Sequence, residues 1–479
     1  MKNDIINLLS IPDEGIEIIK IEIIDRTKII HLQKASFAHF CPECSARMHS
    51  KGIYKRSINH PIFQDGYSTK LIVHQRRWIC SNEQCECVFN DSFSFLEKYK
   101  QSTSITPYLI IETLKDINIT AVQVAKRFNV SDTYVHYTFL KYINLQRLPL
   151  SRIIAIDEVY LNFNYQNRYA LVIMDFVTGQ IIDILPNRFK DTARQYFLSI
   201  PKEERDVVEY LVCDMYNPYI NYTKDYFRHA KAVVDSFHVV QWINRKITSY
   251  ITEVKKKYQE RDKALLREEN FRNNHDYETR KDSKEVYLLK NFKWFLLMAQ
   301  QDVEYKEERK FNRTLGMYLD TYQLEQLFLK LDDKFKEIRD LKDICITFNR
   351  TIFEDENQLE HEFSSIVSIY EKSEIQMFRD FAGLLNRYKP EIFASFLYIK
   401  VSSKKYKETL RRLSNGPLES FNNIPKDLKR VSNGVTDFEY TRNRILWATR
   451  ENPPILAVPR SDKEVRVNIG KERGEYSKK

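Results

Sequence analysis

The sequence lacks any apolar run that approaches the roughly 20 residues needed to span a bilayer. Its first residues, MKNDIINLLSIPDEG, carry acidic side chains where a signal peptide would carry basic ones. A transmembrane protein is therefore excluded, and we expect a cytoplasmic protein with no membrane partner.

Cysteine is scarce and unevenly distributed, since five of the seven cysteines lie between Cys41 and Cys87. Disulfides are not expected in a reducing cytosol. Cys41 and Cys44 form a C-x2-C pair, and Cys80 and Cys85 form a second pair after the strand-like LIVHQRRWIC. Two cysteine pairs on strand ends can close a tetrahedral site. We predict that Cys41, Cys44, Cys80 and Cys85 bind a structural Zn²⁺.

The fourth zinc ligand is the open point of this prediction. Cys87 can replace Cys85, which lengthens the spacing of the second pair. His49, His60 and His74 are further alternatives, although a lone histidine is more often a surface or packing residue. The last alternative is a group of buried free cysteines without metal.

Acidic residues are outnumbered, 66 against 76 lysines and arginines, which gives a formal charge of +10. The basic residues alternate with many tyrosines and phenylalanines, a composition that favours a polyanionic partner. A solvated basic face explains the charge alone equally well. With 43% hydrophobic residues the chain can bury a large core, so a disordered or fibrous protein is excluded.

Residues 120–142 show two short apolar faces separated by Asn129. The pattern predicts a helix, a tight turn and a second helix capped by Ser131, which is a helix-turn-helix whose second helix can enter a major groove. We expect Ser131, Asp132, Thr133 and Tyr134 to face the groove, and Lys126 and Arg127 to contact phosphates.

From Arg152 the pattern changes to strands: RIIAIDEVYLNF, RYALVIMDFVTG and QIIDILPNR, then VVEYLVCDM and KAVVDSF between helical segments. Three antiparallel strands followed by alternating helices and parallel strands are the order of ribonuclease-H-like folds. Beyond Tyr250 the chain is long, charged and helical with few glycines or prolines, and no return of strand character is expected.

Three carboxylates should meet in this arrangement. Asp157 lies within the first strand, Asp214 ends the fourth, and Glu419 lies in the first turn of a helix that Pro417 begins. Such a group needs cations between its members, and two Mg²⁺ (or Mn²⁺) ions would serve. Asp175 and Asp183 are also near strand ends, and we expect no such role for them.

These segments resemble the ISL-three family of bacterial insertion-sequence DDE transposases over nearly the whole chain. The matching pieces, in the same order and spacing, are CPEC with RRWIC, VAKRFNVSDTYV, AIDE, VCDMYNPY, KAVVDSFHVVQWIN and NGPLESFNN followed by LKR and RNRIL. The resemblance implies an enzyme that cleaves and joins DNA, with Asp157, Asp214 and Glu419 as its triad. It also implies that the zinc-binding and helix-turn-helix segments bind terminal inverted repeats.

Asp235 and His238 resemble the D-x2-H motif of related transposases, so we expect both near the site. One departure from the family is Ile424-Pro425-Lys426, where other members continue a basic helix. Proline inside a helix produces a kink. The kink would change the direction of the DNA-binding candidates Lys426, Lys429 and Arg430.

The expected fold is thus an α/β core with a ribonuclease-H-like mixed sheet, interrupted by a helical insertion and preceded by a small zinc-binding β module and a helix-turn-helix. The expected divisions are 1–98 (strands and zinc module), 99–148 (helix-turn-helix), 149–250 (first part of the core), 251–405 (insertion), 406–450 (catalytic helix completing the core) and 451–479 (a disordered basic tail).

The expected partners are double-stranded DNA, as terminal inverted repeats and target, and at least a second copy of the chain, in a bacterial, nucleoid-associated setting. An alternative is a zinc-dependent DNA-binding repressor that uses residues 1–146 only and has an inactive core. A structure-selective nuclease is a third hypothesis, but it would not need the zinc module and helix-turn-helix.

Overall fold

The computed structural model describes residues 6, 9, 11–36, 39–64, 67–97, 100–276, 282–403, 406–432 and 437–468. Within these ranges the chain is a mixed α/β protein with several separate sheets. None of the described helices is long and apolar enough to cross a membrane.

An N-terminal sheet carries the cysteine pairs. Its strand order is β1-β2-β4-β3, with β5 paired to β4. The strand pair predicted over residues 15–35 is confirmed: β1 and β2 are antiparallel, and Asp25 and Arg26 between them have left-handed φ values of 45° and 59°. The strands are β1 (Ile16–Ile24), β2 (Thr27–Lys34), β3 (Met48–Gln64), β4 (Tyr67–Cys80) and β5 (Val88–Asn90).

Short helices follow: α1 (Thr106–Thr113), α2 (Ala121–Phe128) and α3 (Asp132–Tyr142). Thr120 begins α2 with a capping box to Gln123. Asn129 ends it in the left-handed conformation at φ 52°. The Ser131 hydroxyl accepts from the backbone N–H of Tyr134 and so begins α3.

The central sheet has the order β10-β9-β6-β7-β8. Strands β6, β7 and β8 are antiparallel, whereas β9 and β10 run parallel to β6, as the sequence pattern predicts. The strands are β6 (Ile153–Tyr160), β7 (Tyr169–Asp175), β8 (Ile181–Leu185), β9 (Tyr210–Cys213) and β10 (Lys231–Val234), and the helices between them are α4 (Lys190–Ser199), α5 (Lys202–Arg205), α6 (Asn217–Ile220) and α7 (Tyr222–Asp225).

Both faces of this sheet are covered, which is why its strands are almost continuously apolar. Ile154 and Ile156 point into a core shared with the helices beyond β10. Ala155 and Val172 point into a second core that also contains Val135 and Trp447. The helices α1 to α3 therefore share a core with the sheet.

Helices dominate the segment after β10, as expected, but strand character does return: β11 pairs with β12, and β13 with β14, both antiparallel. The first hairpin turns at Gly316, whose φ is 73° and whose N–H donates to the Asn312 carbonyl at 2.8 Å. The elements are α8 (Ser236–Asn273), α9 (Lys284–Asn291), α10 (Trp294–Leu297), a 3-10 turn (Gln300–Asp302), β11 (Lys310–Asn312), β12 (Met317–Leu319), α11 (Thr321–Leu329), α12 (Phe335–Arg350), α13 (Glu356–Glu371), α14 (Gln376–Arg387), α15 (Lys389–Ala394), β13 (Tyr398–Ser403) and β14 (Tyr406–Arg412).

The last elements of the described residues are α16 (Gly416–Phe421), α17 (Asn423–Val431), α18 (Phe438–Thr449) and α19 (Asp462–Asn468). The kink expected at Pro425 does not occur there. The helix breaks earlier, at Asn422, and Pro425 lies in the first turn of α17, where its missing N–H is not needed.

The expectation of a disordered tail is wrong for the described residues 451–468. The backbone N–H groups of Leu456 and Arg460 donate to the carbonyls of Tyr142 and Lys141, both at 2.9 Å. The Arg460 guanidinium also pairs with Glu439 at 2.5 Å. Residues 469–479 lie outside the described residues.

Candidate active site and metal centre

Asp157 lies on β6, opposite Val172 of β7 and two residues beyond Ala155, where the pairing with β9 ends. Its side chain is partly buried. The Oδ1 atom accepts from the backbone N–H of Glu158 at 2.7 Å, and Oδ2 accepts from the Asn422 side chain at 2.7 Å. The carboxylate is thus held in place from its own strand and from the helical segment that follows α16.

Asp214 directly follows β9, the neighbour of β6. Its Oδ1 accepts from the side-chain amide of Asn415 at 3.1 Å and lies 2.8 Å from Nε2 of His238. A carboxylate has about four lone-pair sites, so these contacts do not saturate it.

Glu419 lies in α16, where Pro417 occupies one of the first two positions. The residues that flank it on the helix, Asn415 and Asn422, are the same ones that donate to Asp214 and Asp157. Asn415 and Asn422 are 0% and 3% exposed, and the Oδ1 atom of each is buried without a partner. One helical segment therefore supplies the third acid and fixes the other two.

Burial and the charges of neighbouring carboxylates change the pKa values of two of these acids, Asp157 and Glu419. Burial, followed by the charge of Asp214, raises the pKa of Asp157 to about 7. Burial and the charges of Asp235 and Asp214 also raise the pKa of Glu419. Burial lowers the pKa of His238, but its hydrogen bond to Asp214 together with the negative charges of Asp214, Asp235 and Glu419 outweighs burial, and the net shift is upward. The site thus concentrates negative charge that a cation would relieve.

The oxygen atoms of Asp157, Asp214 and Glu419 do not all come within 4.8 Å of one another, a limit that only the four N-terminal cysteines satisfy among the described residues. Two cations about 3.5–4 Å apart need outer ligands that are farther apart than those of a single ion.

Asp235 begins α8, and its Oδ1 accepts from the Phe237 N–H at 2.8 Å. Its Oδ2 accepts from the backbone N–H of Asn415 at 2.5 Å. At 4% exposure, Asp235 joins the long helix to the start of α16. It lies near the site, and its contacts are those of a cap and a structural link.

Several residues of this site were not singled out from the sequence. The Glu158 carboxylate pairs with Arg188 and accepts from the Tyr219 hydroxyl. For Asn415 and Asn422 the sequence offers one signal, which is that an asparagine lies on each side of Glu419. Their spacing places Asn415, Glu419 and Asn422 on one helical face. The partners of Glu158 gave no signal, because they are distant in sequence.

The four predicted zinc ligands meet at one point. Cys41, Cys44, Cys80 and Cys85 have sulfur atoms that all lie within 4.8 Å of one another. Burial raises the pKa of the Cys41 thiol, but hydrogen bonds from the backbone N–H groups of Cys44 and Glu43 lower it to about 6. Four soft ligands in a closed group suit Zn²⁺.

The alternative ligands lie outside this group of four sulfurs. Burial and the neighbouring Cys41 raise the pKa of Cys87 to about 11. His60 is buried and hydrogen-bonded to Thr103 at 3.2 Å, and His74 contacts His31 at 3.0 Å. His49 lies on β3 opposite Ile79.

The candidate DNA-contacting residues of α2 and α3 fall into two groups. Lys126, Arg127 and Thr133 are exposed, as is Ser131, whose hydroxyl is used as a helix cap. Tyr134, by contrast, is half-buried and its hydroxyl lies 3.3 Å from that of Ser102. That Tyr134 faces a groove stays a prediction.

The basic candidates of α17 point in different directions. Lys426 is exposed, and its positive charge offsets part of the rise in the pKa of Glu419. Lys429 lies over the Phe163 ring at 4.6 Å. Arg430 is exposed and pairs with Asp427 at 3.1 Å.

Comparison with known proteins identifies relatives of the chain. A profile of the ISL3 type of DDE transposases matches residues 154–445, a range that contains Asp157, Asp214 and Glu419. The transposase for insertion sequence element IS1001 of Bordetella parapertussis is 24% identical over 302 residues, which cover 60% of this chain and 66% of that relative, just under two thirds of its length. Because the family match spans more than half of the chain, the protein belongs to the ISL3 family of transposases.

Proposed function

We propose that the protein is an insertion-sequence transposase that cleaves and joins DNA at a DDE site formed by Asp157, Asp214 and Glu419. The observation that carries the proposal is their convergence: two neighbouring strands and one helix bring the acids together, linked through Asn415 and Asn422, and the charge of Asp214 helps to raise the pKa of both Asp157 and Glu419. The family match supports the reaction class.

The core is proposed to be ribonuclease-H-like. Three antiparallel strands followed by two parallel ones, with acids on the first and after the fourth, support this assignment. The long helical segment between β10 and α16 would then be the insertion, and α16 the catalytic helix that completes the core.

The donor set fits hard divalent cations, because the three carboxylates offer oxygen ligands. The raised pKa of Asp157 reflects a buried negative charge that a cation would compensate. Asp157, Asp214 and Glu419 would hold Mg²⁺ or Mn²⁺, which when bound would activate the attacking oxygen and stabilise the leaving oxygen. The separate sulfur group would hold a structural Zn²⁺.

The chain's own polar groups orient these acids. Asn415 holds Asp214 and Asn422 holds Asp157 through side-chain N–H donors. The His238 ring lies within hydrogen-bond distance of Asp214. Because its pKa is raised, the ring can carry a second N–H and donate a hydrogen bond to a nearby phosphate oxygen or water.

The exposed residues of α2 and α3 are proposed to bind the terminal inverted repeats, with the zinc module beside them. Lys126, Arg127, Lys426 and Arg430 would contact phosphates, and Lys429 less directly because it lies on Phe163. Bringing two element ends together implies at least a dimer on DNA. We further propose a cytoplasmic, nucleoid-associated protein.

The repressor alternative, limited to residues 1–146, is less well supported. Trp447 of α18 donates to the Ile111 carbonyl at 3.0 Å, and Arg444 to that of Asp116 at 2.6 Å. Helices α1 to α3 thus depend on residues near the C-terminus for part of their core. A fragment ending at residue 146 would expose that apolar surface.

The direct test is incubation of the purified protein with labelled element ends and Mg²⁺. Strand-specific cleavage and joined products support the proposal. Specific binding without any cleavage, under conditions where the zinc is retained, would favour the repressor instead.

A further inference from the structure

Exposed aromatic rings lie on the chain segments that carry Asp157 and Asp214. Tyr160, Tyr169 and Tyr216 are 50%, 40% and 49% exposed. Tyr160 ends the strand that carries Asp157, and Tyr216 comes two residues after Asp214. Large exposed patches usually mark a binding surface. We call Tyr160, Tyr169, Arg188 and Tyr216 the aromatic platform.

The first part of the platform is built on a strand pair. Tyr160 and Tyr169 are directly opposite each other on β6 and β7, and their ring centroids are 5.2 Å apart. The Arg188 guanidinium lies 4.8 Å from the centroid of Tyr169. Two rings and a planar cation therefore form one continuous surface.

The platform is fixed to the site through Glu158, the neighbour of Asp157. Arg188 donates to one carboxylate oxygen of Glu158, and the Tyr219 hydroxyl donates to the other. The Tyr219 ring in turn contacts Tyr216, with centroids 5.2 Å apart. The platform thus keeps a set position relative to the segments that carry both aspartates.

The surface matches a particular kind of ligand. Arg188 has further N–H donors besides the one that contacts Glu158, and Arg168 lies nearby in the chain with its guanidinium 4.7 Å from the Tyr165 ring. Aromatic rings combined with arginines bind single-stranded nucleic acids, because bases stack on the rings while cations attract phosphates. In a paired duplex the base faces are already covered.

We propose that the aromatic platform stacks unpaired nucleotides of the DNA beside the cleavage site. This inference rests on the proposed function, since the DNA must enter the Asp157 site for the platform to reach it. Stacking would capture bases that leave the duplex and so hold the strand open at the carboxylates.

The test measures binding of a fluorescent oligothymidylate by anisotropy. The Tyr160→Ala/Tyr169→Ala double variant should bind about tenfold more weakly or worse, as expected for the loss of stacking. The corresponding double change to Phe keeps the rings and should bind almost normally. Tyr318→Ala, a change at a ring that is 67% exposed on β12, is the matched control. Equal affinity of the Ala double variant and the wild type would overturn the proposal.

A second measurement tests the link to cleavage. Element-end duplexes with mismatched pairs beside the cleavage site already have the bases unpaired, so they should restore cleavage by the Ala double variant. If the mismatched duplexes do not restore cleavage, the proposal that the platform captures unpaired bases at the active site is contradicted. Asp157→Asn separates the two proposals: it should lose cleavage and keep oligothymidylate binding. If Asp157→Asn still cleaves, the proposed function fails, whereas the oligothymidylate result still decides the stacking.

Discussion

Asn422 donates a hydrogen bond from Nδ2 to Oδ2 of Asp157 at 2.7 Å, across 265 positions in the sequence. The same helical segment carries Glu419, and Asn415 at its start holds Asp214. A single segment therefore sets the arrangement of all three acids.

Replacement of Asn422 by alanine should lower cleavage about 10–100-fold, as is typical when a residue that orients a metal ligand is lost. Binding to element ends should be unchanged, because Asn422 is buried away from solvent. Asn423→Ala is the matched control, since Asn423 is the exposed neighbour of the same type. Normal cleavage by Asn422→Ala would mean that Asp157 needs no such support.

Zinc content should distinguish the two candidates for the fourth ligand. Cys85→Ser should reduce zinc well below one ion per chain, because the Cys85 sulfur belongs to the group within 4.8 Å. Cys87→Ser should retain it. Elemental analysis of both variants decides the assignment, and the reverse pattern would exchange the two residues.

DNA binding should separate phosphate contacts from base contacts. Lys126→Ala should weaken binding to all sequences and reduce its salt dependence, because one phosphate contact is lost. Thr133→Ala should instead reduce the discrimination between element ends and random DNA. Titrations at several salt concentrations measure both. If Thr133→Ala leaves the discrimination intact, α3 is not the recognition helix.

Much of the fold follows from local signals. Continuous apolar stretches separated by turn residues predict the five strands of the central sheet. The spacing of the two cysteine pairs predicts that their four sulfur atoms lie together. The hairpins β11–β12 and β13–β14 were missed. The strands of the first span three residues each, too short to show an alternating pattern.

Burial caused by distant partners could not be predicted either. Asp183 looks like an ordinary acid near a strand end, yet it is buried and pairs with Arg442 at 2.6 Å, 259 positions away. It is therefore unsuitable as a neutral control, since breaking a buried pair is destabilising. Tyr134 likewise occupies an exposed-looking position in the sequence but packs beside Ser102.

Stability should depend on pH through Asp157. Because its pKa is raised from 3.8 to about 7, the folded protein holds this proton more tightly than the unfolded chain, and stability falls as pH rises through that interval. Without added Mg²⁺, Asp157→Asn should therefore melt at a higher temperature than the wild type at about pH 8, and the difference should shrink below about pH 4.

Addition of Mg²⁺ should raise the melting temperature of the wild type more than that of Asp157→Asn, because the variant loses a charged ligand. Thermal melting of zinc-loaded protein with and without Mg²⁺ provides both comparisons. An equal response of the two proteins would argue against Asp157 as a ligand.

The decisive measurement is cleavage of labelled element ends in Mg²⁺ by Asp157→Asn, Asp214→Asn and Glu419→Gln. Each change removes a charge with almost no change in volume, so folding and end binding should persist while cleavage falls at least about a hundredfold. Asp175→Asn is the control, because Asp175 accepts from Val177 N–H and the Thr178 hydroxyl in a turn. Near-wild-type cleavage by Asp175→Asn together with loss in all three others is the predicted result. Near-normal cleavage by any of the three would contradict the assignment of that residue to the catalytic site.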